Sequence, residues 1–360
     1  MRLGVMTGGG DCPGLNALLR GIVKRGTLEF GHEFIGIENG YQGLIDDEMT
    51  RPLTVNDTRG ILPKGGTILG TSNKANPFQY AVKTSTGWLE KDLSHLAVQR
   101  YRALRLDGLI VVGGDGTLSI GHRLSTLGIN VVGCPKTIDN DLSGTDLTFG
   151  FDTARSICAE AIDRLHTTAE SHQRVMIIEL MGRHAGFLTL DSGMAGGAHV
   201  ILIPEIPYRL DSIVAKIQKR GTRRSFTIIA MSEGALPVGG SASVIQEASD
   251  IPGRGVVRLG GAGAALADAL ASRVDAEIRV TVLGHLQRGG SPSAADRILA
   301  TLCGCKVLDL VRDGQWNHMV AIRDGKMTVA PLAESRKERR VDPYGDSVRF
   351  SKSMGICFGD

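Results

Sequence analysis

Three apolar runs of this sequence each lead directly into a loop rich in glycine or aspartate. The runs occupy residues 3–7, 109–112 and 129–133, and continuous apolar runs of this length are typical of strands buried inside a parallel sheet. Helix-like stretches follow the first two loops, from about Leu15 and after Leu118. Because parallel strands need a long crossover connection, usually a helix, this order predicts a series of strand–loop–helix units.

The same alternation continues through the chain and predicts a doubly wound α/β fold. Further buried strands are expected at residues 34–37, 175–180, 199–203 and 226–230, and further helices at 153–170, 210–220, 261–273 and 294–313. A length of 360 residues allows two domains of ordinary size. We expect a change of domain near Gly150.

Composition argues against several classes of protein. The formal net charge is +3, which is too small to predict a nucleic-acid or membrane partner. No apolar run approaches about 18 residues, the length that indicates a membrane span, and the chain enters its first strand at Arg2 without a secretion signal. The six cysteines have neither a disulfide framework nor paired zinc-binding spacing. We therefore expect reduced thiols and a cytoplasmic location.

The third loop, PKTIDND at residues 135–141, carries the residues best suited to proton transfer. Pro135 is expected to end the strand, and period-two spacing beyond it would point Thr137, Asp139 and Asp141 into one cleft. A carboxylate held there can take a proton from a substrate hydroxyl, while a second binds a metal or holds the first in place. The alternative is an ordinary turn, in which such side chains hydrogen-bond their own backbone.

The other two loops have the composition of phosphate-binding turns. Glycine lets a backbone approach a ligand closely, and amides at the start of a helix point at negative charge. Asp115, within the run GGDGT, makes sense among such amides if it holds Mg²⁺ against phosphates. The first loop, after residues 3–7, has neither the spacing of a dinucleotide fingerprint nor the ending of a Walker loop. A tight strand-to-helix turn is the alternative, and lipid kinases and nicotinamide-nucleotide kinases carry runs similar to GGDGT.

Seven short motifs follow one another along the chain. They are TGGGDCPGLN at residues 7–16, GGTILG at 65–70, GGDGT at 113–117, PKTIDND at 135–141, SHQRV at 171–175, MGRHAG at 181–186 and LGHLQRGGSP at 283–292. Together they resemble the 6-phosphofructokinase family, over about residues 1–325. The resemblance implies two doubly wound, Rossmann-like α/β domains with mostly parallel sheets and an active site in the cleft between them. The donor-binding domain would comprise residues 1–150 and about 289–318, and the sugar-phosphate domain residues 151–288 and about 319–360.

The resemblance implies a glycolytic phosphoryl transfer. MgATP would phosphorylate the 1-hydroxyl of fructose 6-phosphate, giving fructose 1,6-bisphosphate and ADP. Asp139 matches the position of the base that accepts the hydroxyl proton. Thr137 would hold the transferring group, Asp115 would position Mg²⁺, and Arg183 would offset the charge that builds up in the transition state.

The resemblance also implies two sets of ligand-binding positions. The donor set is Gly9, Gly10, Asn73, Lys74, Gly114, Asp115, Gly116 and Thr117, in which Asn73 departs from the family pattern. The sugar-phosphate set is Thr137, Ile138, Asp139, Arg174, Met181, Gly182, Arg183, Glu233, Arg279, His285 and Arg288. Forked guanidinium groups suit phosphate oxygens. In the family, the residues at Arg174 and Arg279 reach a neighbouring subunit's site, which implies a homodimer or homotetramer with shared active sites.

Two residues bear on the choice of phosphoryl donor. Pyrophosphate-dependent relatives typically carry aspartate at the position of Gly116, where its side chain fills the space of a nucleotide α-phosphate and repels it. They also typically carry lysine at the position of Lys136, where many bacterial ATP-dependent relatives have glycine. This pairing resembles a mixed-substrate group of the family, and the open space at Gly116 favours ATP. A pyrophosphate-dependent fructose 6-phosphate 1-phosphotransferase is the alternative.

Two other functions remain open from the sequence. A lipid or nicotinamide-nucleotide kinase would use GGDGT but would not need PKTIDND, MGR or HLQRGG. A catalytically silent regulatory subunit would be expected to lose the base or the metal carboxylate. This chain keeps Asp139, Asp115 and Arg183, which argues against that function.

Overall fold

Two sheets of mostly parallel strands, packed with helices, organise the described part of the chain. The computed structural model describes residues 1–46, 48–85, 87–221, 225–246 and 258–360. Its strands are, in chain order, β1 (Arg2–Thr7), β2 (Glu33–Ile37), β3 (Thr50–Pro52), β4 (Tyr80–Thr84), β5 (Gly87–Lys91), β6 (Gly108–Gly113), β7 (Val131–Thr137), β8 (Phe149–Gly150), β9 (Val175–Leu180), β10 (Val200–Leu202), β11 (Thr227–Ser232), β12 (Val244–Gln246), β13 (Arg258–Leu259), β14 (Ile278–Val282), β15 (His318–Arg323) and β16 (Lys326–Pro331).

The α-helices of the same residues connect these strands. They are α1 (Leu15–Phe30), α2 (Ser94–Ala103), α3 (Asp115–Ser125), α4 (Phe151–His172), α5 (Phe187–Ala195), α6 (Leu210–Lys219), α7 (Ala262–Ala271), α8 (Ala294–Arg312) and α9 (Asp346–Ser353). Among the described helices, none combines the length and the hydropathy that a membrane crossing requires.

The larger sheet is doubly wound. Its strand order is β16-β15-β7-β6-β1-β2-β3, and the short strand β8 pairs with β7. Strands β2, β1, β6, β7 and β15 run parallel, whereas β3 and β16 are antiparallel edge strands. Every residue of β6 is buried, as expected for a central strand with helices on both faces of the sheet. The chain order changes direction between β1 and β6, and open α/β sheets bind ligands at such a switch point.

The smaller sheet has the order β10-β11-β9-β14 and is parallel throughout. Its strand β9 occupies Val175–Leu180, the residues that the apolar run predicts. Together the two sheets confirm the predicted α/β fold with mostly parallel sheets. Two antiparallel pairs, β4–β5 and β12–β13, lie outside both sheets.

The strand β7 does not end at Pro135, as the sequence suggested, but continues to Thr137. β15 pairs with Val132 and Gly133 of β7, and β8 pairs with Lys136 and Thr137. Pro135 lies between these two stretches of pairing. The gap is on this edge of β7 alone, since on the other edge Pro135 lies opposite Gly113 of β6. A residue without an amide hydrogen is tolerated where one edge of a strand lacks a pairing partner.

The route of the chain differs from the predicted domain organisation after residue 318. Residues from about 319 were expected in the second domain, but β15 and β16 belong to the larger sheet. The reason is the parallel pairing of His318 with Val132 on β7. The chain then returns to the smaller sheet, where Cys357 forms a β-bridge with Val200 of β10. The other domain boundaries stay a prediction.

A buried carboxylate fixes the point where the chain first passes from the larger sheet to the smaller one. Asp296, near the start of α8, is 1% exposed. Its oxygens accept hydrogen bonds from the amides of Gly150 and Thr153 at 2.8 and 2.7 Å. Burial raises the pKa of Asp296, and the bonds from Thr153 and Gly150 oppose this effect. The helix α4, which leads into the smaller sheet, therefore begins at a fixed position beside α8.

Candidate active site

A cleft of about 790 Å³ lies at the carboxyl ends of the strands of both sheets. The larger sheet contributes the loops after β1, β6 and β7, and the smaller sheet contributes those after β9, β11 and β14. Open parallel sheets bind their ligands at this edge. The cleft brings together most of the predicted site residues, namely Gly9, Gly10, Asn73, Lys74, Gly114, Asp115, Gly116, Thr117, Lys136, Thr137, Asp139, Met181, Arg183, Glu233, His285 and Arg288.

Four predicted site residues do not line the cleft. The side chain of Ile138 is fully buried in the hydrophobic core. Gly182 lies in the loop after β9, where its φ of +140° is one that glycine tolerates best. Arg174 and Arg279 both form ion pairs with Glu277 beside the edge strand β14. The role predicted for these two arginines involves a neighbouring subunit and stays a prediction.

The amino-terminal turn of α3 forms one end of the cleft. Contrary to the sequence-based expectation of a start after Leu118, the helix begins at Asp115. The first helical hydrogen bond runs from the Leu118 amide to the carbonyl oxygen of Gly114 at 2.9 Å. The amides of residues 115–117 therefore have no helical partner and can bind an anion. A β-carbon at Gly116 would meet no atom within 4 Å, so the space beside these amides is open.

Two cations hold the first glycine-rich loop in place. The ammonium group of Lys136 donates to the carbonyl oxygen of Gly10, and the Arg288 guanidinium donates to that of Asp11 at 3.1 Å. A β-carbon at Gly10 would lie 2.8 Å from the Arg288 guanidinium, so a side chain at this position would displace the guanidinium. Burial is the main cause of the lowered pKa of Lys136, and repulsion from Arg288 adds to it.

Asp139 is the carboxylate best placed to accept a proton. Its amide donates to the Thr137 hydroxyl at 3.0 Å, and its Oδ2 accepts from the same hydroxyl at 3.3 Å. Its Oδ1 is buried without a hydrogen-bond partner in the described part of the chain. Burial raises the pKa of Asp139, whereas Arg288, the Thr137 hydroxyl, Arg183 and Lys136 oppose this effect. Asp139 also lines the cleft, and a carboxylate that lies among cations is suited to take a proton from a ligand hydroxyl.

Asp141 and Asp115 add negative charge beside Asp139. Burial raises the pKa of Asp141 to about 7, and repulsion from Asp139 and Asp115 contributes to this value. The described residues contain no group of three or more His, Cys, Asp or Glu side chains that could hold a metal ion. The carboxylates present nevertheless suit Mg²⁺, which commonly binds one or two carboxylates and completes its shell with water and substrate phosphates.

On the opposite sheet, the loop after β9 presents Arg183 from a strained backbone. Arg183 has a φ of +47°, in the left-handed region that residues other than glycine rarely adopt. Its amide donates to Glu233 Oε1 at 3.2 Å. A β-carbon at Gly234 would lie 1.8 Å from the carbonyl oxygen of Arg183, so the loops after β9 and β11 are in direct contact. Burial raises the pKa of Glu233 to about 7, against the hydrogen bond from the Arg183 amide.

Gln287 is a supporting residue that the sequence analysis missed. It is fully buried, its Oε1 accepts from the Met181 amide at 3.1 Å, and its Nε2 donates to the Gly284 carbonyl oxygen at 2.9 Å. Gln287 therefore holds the loop that carries Arg183 against the turn that carries Arg288. In the sequence, the only indication of this role was the place of Gln287 inside the motif LGHLQRGGSP.

The cleft also extends along α3, which the sequence analysis did not predict. Ser119, Ile120 and Arg123 follow Gly116 by three, four and seven positions, so they share its face of the helix, and all three line the cleft. The guanidinium carbon of Arg123 lies 3.6 Å from the centre of the Phe78 ring, a cation–π contact. This part of the cleft lies beyond the amides at the start of α3 and provides room for a ligand group larger than a phosphate.

The described geometry can be compared with known proteins. The family model for phosphofructokinase matches residues 2–311 of the chain. This chain belongs to the phosphofructokinase family. The resemblance drawn from the seven motifs is therefore confirmed, and the cleft between its two sheets is the candidate active site of a phosphofructokinase-family protein.

Relatives in this family carry two different names. A relative from Clostridium perfringens, named ATP-dependent 6-phosphofructokinase 2, is 46% identical over 363 residues, which cover 100% of this chain and 98% of the relative. A relative from Amycolatopsis mediterranei, named pyrophosphate–fructose 6-phosphate 1-phosphotransferase, is 48% identical over 343 residues, which cover 95% of this chain and 96% of the relative. Sequence identity alone therefore does not separate the two phosphofructokinase names.

A solved phosphofructokinase structure has the same fold. The structure of phosphofructokinase from Saccharomyces cerevisiae matches with a TM-score of 0.76 and 32% sequence identity. The match covers 93% of this chain and 45% of the yeast chain, so this chain spans less than half of the yeast phosphofructokinase chain.

Proposed function

We propose that this chain transfers the terminal phosphoryl group of ATP to the 1-hydroxyl of fructose 6-phosphate, giving fructose 1,6-bisphosphate and ADP. The observation that carries the proposal is the Asp139 carboxylate, which lines the cleft and whose Oδ1 has no hydrogen-bond partner among the described residues. It is buried in a cleft with free helix amides on one sheet and the arginines Arg183 and Arg288 nearby. Such a cleft can orient two phosphorylated ligands around one proton acceptor.

Each residue around Asp139 has a role in this transfer. Asp139 accepts the proton of the attacking hydroxyl, which is worth about 10²–10⁴ in rate for a general base. Thr137 donates its hydroxyl proton to the Asp139 carboxylate in this structure; with ligands bound, rotation of the hydroxyl would redirect this one proton to the transferring group. Arg183, Arg288 and Lys136 lower the energy of the negative charge that spreads over the phosphoryl oxygens.

Mg²⁺ is the metal that fits the acidic side of the cleft. Asp115, which lines the cleft, would hold it, since Mg²⁺ commonly binds one or two carboxylates together with substrate phosphates. When bound, Mg²⁺ neutralises charge on the donor phosphates. Asp115 stands at the first position of α3, beside the amides that would bind those phosphates.

Two features support ATP as the donor. The space beside Gly116 is open, and the cleft continues past it along α3 to Ile120 and Arg123. The nucleoside of ATP would fit in this part of the cleft, whereas pyrophosphate has no group that would occupy it. One feature, the lysine at position 136, favours pyrophosphate instead, and this residue is buried in the cleft. The ammonium group of Lys136 is already bonded to the Gly10 carbonyl oxygen, so the open part of the cleft along α3 is the stronger indication of the donor.

The proposed assembly is a homodimer or homotetramer with shared active sites, in the cytoplasm. Arg174 and Arg279 lie by the edge strand β14, where further strands or subunits can pack. Val282 and Leu286 are 58% and 70% exposed in the same region, and exposed apolar side chains of this size suit a subunit contact. From a neighbour, the two arginines would bind the sugar phosphate.

The donor experiment tests the proposed function directly. We expect the purified chain to form fructose 1,6-bisphosphate from fructose 6-phosphate with MgATP and little or none with pyrophosphate. Gly116→Asp should lower kcat/KM for ATP by about 10²-fold or more, because like charges about 4 Å apart at intermediate dielectric repel by about 4 kcal/mol. Gly116→Asn has nearly the same size without the charge and is the matched control.

Three outcomes would overturn the proposal. Strong turnover with pyrophosphate and none with ATP would make Lys136 the dominant determinant of the donor. Equal losses in Gly116→Asp and Gly116→Asn would show that size, not charge, governs the space beside α3. An affinity for fructose 6-phosphate that falls as far as that for ATP would mean that Gly116 does not lie at the donor end of the cleft.

A further inference from the structure

A segment near the carboxyl terminus pairs with the loop that carries the catalytic aspartates. Residues 337–341, named here the C-terminal strap, run antiparallel to residues 141–143. Ser143 donates its amide to the carbonyl oxygen of Lys337 at 3.1 Å, and Arg339 donates its amide to that of Asp141 at 2.6 Å. An isolated antiparallel β-bridge joins Leu142 to residue 338 between these two bonds. The strap therefore fixes the backbone two residues beyond Asp139.

The side chain of Arg339 extends this contact to both sheets. Its guanidinium donates to the carbonyl oxygen of Asp146 at 2.6 Å and lies 3.5 Å from that of Thr145. The same guanidinium carbon lies 4.7 Å from the ring centre of Phe187, the first residue of α5. Arg339 thus joins the loop after β7 of the larger sheet to the helix that follows Arg183 in the smaller one.

The far end of the strap is tied to the loop that carries Arg183. Val341 donates its amide to Glu205 Oε1 at 2.9 Å, and Gly186 donates its amide to the same oxygen at 2.9 Å. A β-carbon at Gly186 would lie 2.5 Å from the β-carbon of Ile203 and 2.7 Å from Glu205 Oε2, so a side chain at this position would disturb the packing beside Glu205. Glu205 therefore holds the strap and the Arg183 loop at one point.

The loop that Arg339 contacts is held together by hydrogen bonds of its own. The Asn140 side chain accepts a hydrogen bond from the Thr148 amide at 3.1 Å and donates one to the Asp146 carbonyl oxygen at 3.3 Å. The Thr148 hydroxyl donates to the Thr137 carbonyl oxygen at 2.9 Å. Because residues 137–148 are linked in this way, a shift of the backbone at Asp146 would also move Thr137 and the proposed base, Asp139.

We propose that Arg339 is a positioning residue for phosphoryl transfer, which sets the distance between Asp139 and Arg183 across the cleft. The inference rests on the proposed function. Phosphoryl transfer depends on alignment of the reacting atoms within fractions of an ångström. Ligand binding tolerates a small shift of one loop better than this alignment does. Loss of Arg339 should therefore lower kcat more than it raises either KM.

The experiment compares Arg339→Met with Arg340→Met in the full-length chain. Arg340 is the adjacent, exposed arginine. Its side chain lies 3.4 Å from Glu338, so Arg340→Met controls for loss of a positive charge in the strap. For Arg339→Met we expect kcat to fall about 10- to 100-fold, with both KM values within about twofold of wild type and a Tm close to that of Arg340→Met. Arg339→Lys keeps one donor and should recover part of kcat.

A second variant keeps the inference testable if Arg339→Met does not fold. Phe187→Leu removes only the ring beneath the guanidinium and should lower kcat in the same direction by a smaller factor. The role of Arg339 is wrong if Arg339→Met and Arg340→Met have the same kcat, or if KM rises while kcat stays unchanged. A wild-type chain that does not phosphorylate fructose 6-phosphate with either donor would refute the proposed function, and this role with it.

Discussion

At the scale of single residues, burial controls the charge of the cleft. It is the main cause of the raised pKa of Asp139, Asp141 and Glu233. Around Asp139 the cations Arg288 and Arg183 oppose this effect, which favours the ionised form that a base needs. Around Glu233 the nearest charges include Asp139, so its carboxyl group stays protonated to higher pH.

The raised pKa of Glu233 makes a prediction about stability. Its pKa lies near the ordinary value of 4.5 in the unfolded chain and is about 7 in the folded one, so the folded chain binds the extra proton between these values. Stability should therefore fall as pH rises from about 4.5 to 7, by up to about 1.4 kcal/mol per pH unit for this group. Glu233→Gln keeps the acceptor for the Arg183 amide but removes the titration.

Urea denaturation at pH 5 and pH 8 measures this effect. Relative to wild type, Glu233→Gln should gain stability on going from pH 5 to pH 8, whereas Glu48→Gln, at an exposed position, should show no such gain. A pH-independent difference between Glu233→Gln and wild type would show that the Glu233 carboxyl group titrates alike in both states.

The sequence predicted those residues whose chemistry is carried by a local motif. Thr137, Asp139 and Asp115 were identified because polar residues directly after buried strands must lie at the ligand-binding edge. Gln287 and Arg339 were not, because their roles depend on hydrogen bonds to segments that are more than 100 positions away in the sequence. Nothing in a single sequence indicates which distant carbonyl or amide such a side chain will meet.

At the scale of elements, the contact between α1 and α8 positions the donor end of the cleft. The helix α1 follows the first glycine-rich loop, and α8 follows the turn that carries Arg288. A β-carbon at Gly304 of α8 would lie 2.5 Å from the carbonyl oxygen of Leu18 on α1, and one at Gly21 would lie 2.8 Å from that of Thr301. The two helices therefore touch backbone to backbone.

Gly304→Ala tests this close contact. Although alanine favours a helix over glycine by about 1 kcal/mol, we expect a net loss of about 1–3 kcal/mol of stability, because the added methyl group must push the two backbones apart. Gly116→Ala, in a helix position with open space, is the matched control and should be neutral or slightly stabilising. Denaturant midpoints measure both, and equal stability of the two variants would contradict the described packing.

Elements were predictable where burial leaves a clear pattern. The fully buried strands β6, β9 and β11 appear in the sequence as apolar runs. The hairpin strand β5 is exposed along its length, and β14 is only partly buried, so neither has such a run, and both were missed. Strand β15 was missed although residues 319–322 form a short buried apolar run. What its local sequence does not indicate is its pairing with β7 and with the edge strand β16.

At the scale of the whole molecule, the proposed shared sites predict complementation between subunits. Arg174→Ala and Asp139→Ala chains should each be nearly inactive alone. In a mixed oligomer, one site can combine the intact Asp139 of one subunit with the intact Arg174 of its neighbour. Random mixing in equal amounts should then restore up to about a quarter of the sites.

Activity after mixing the two variants, with subunit exchange confirmed by differently tagged chains, measures this effect. Mixing each variant with itself is the control. Full exchange without any recovery of activity would mean that Arg174 acts within its own chain or outside the active site.

The central claim is that Asp139 is the base of a fructose 6-phosphate kinase, and the turnover of Asp139→Ala tests it most directly. Steady-state formation of fructose 1,6-bisphosphate with MgATP should show a kcat lowered by about 10²–10⁴ and a nearly unchanged KM for fructose 6-phosphate, because the base acts mainly in the transition state. A variant that keeps more than about a tenth of the wild-type kcat would contradict this account.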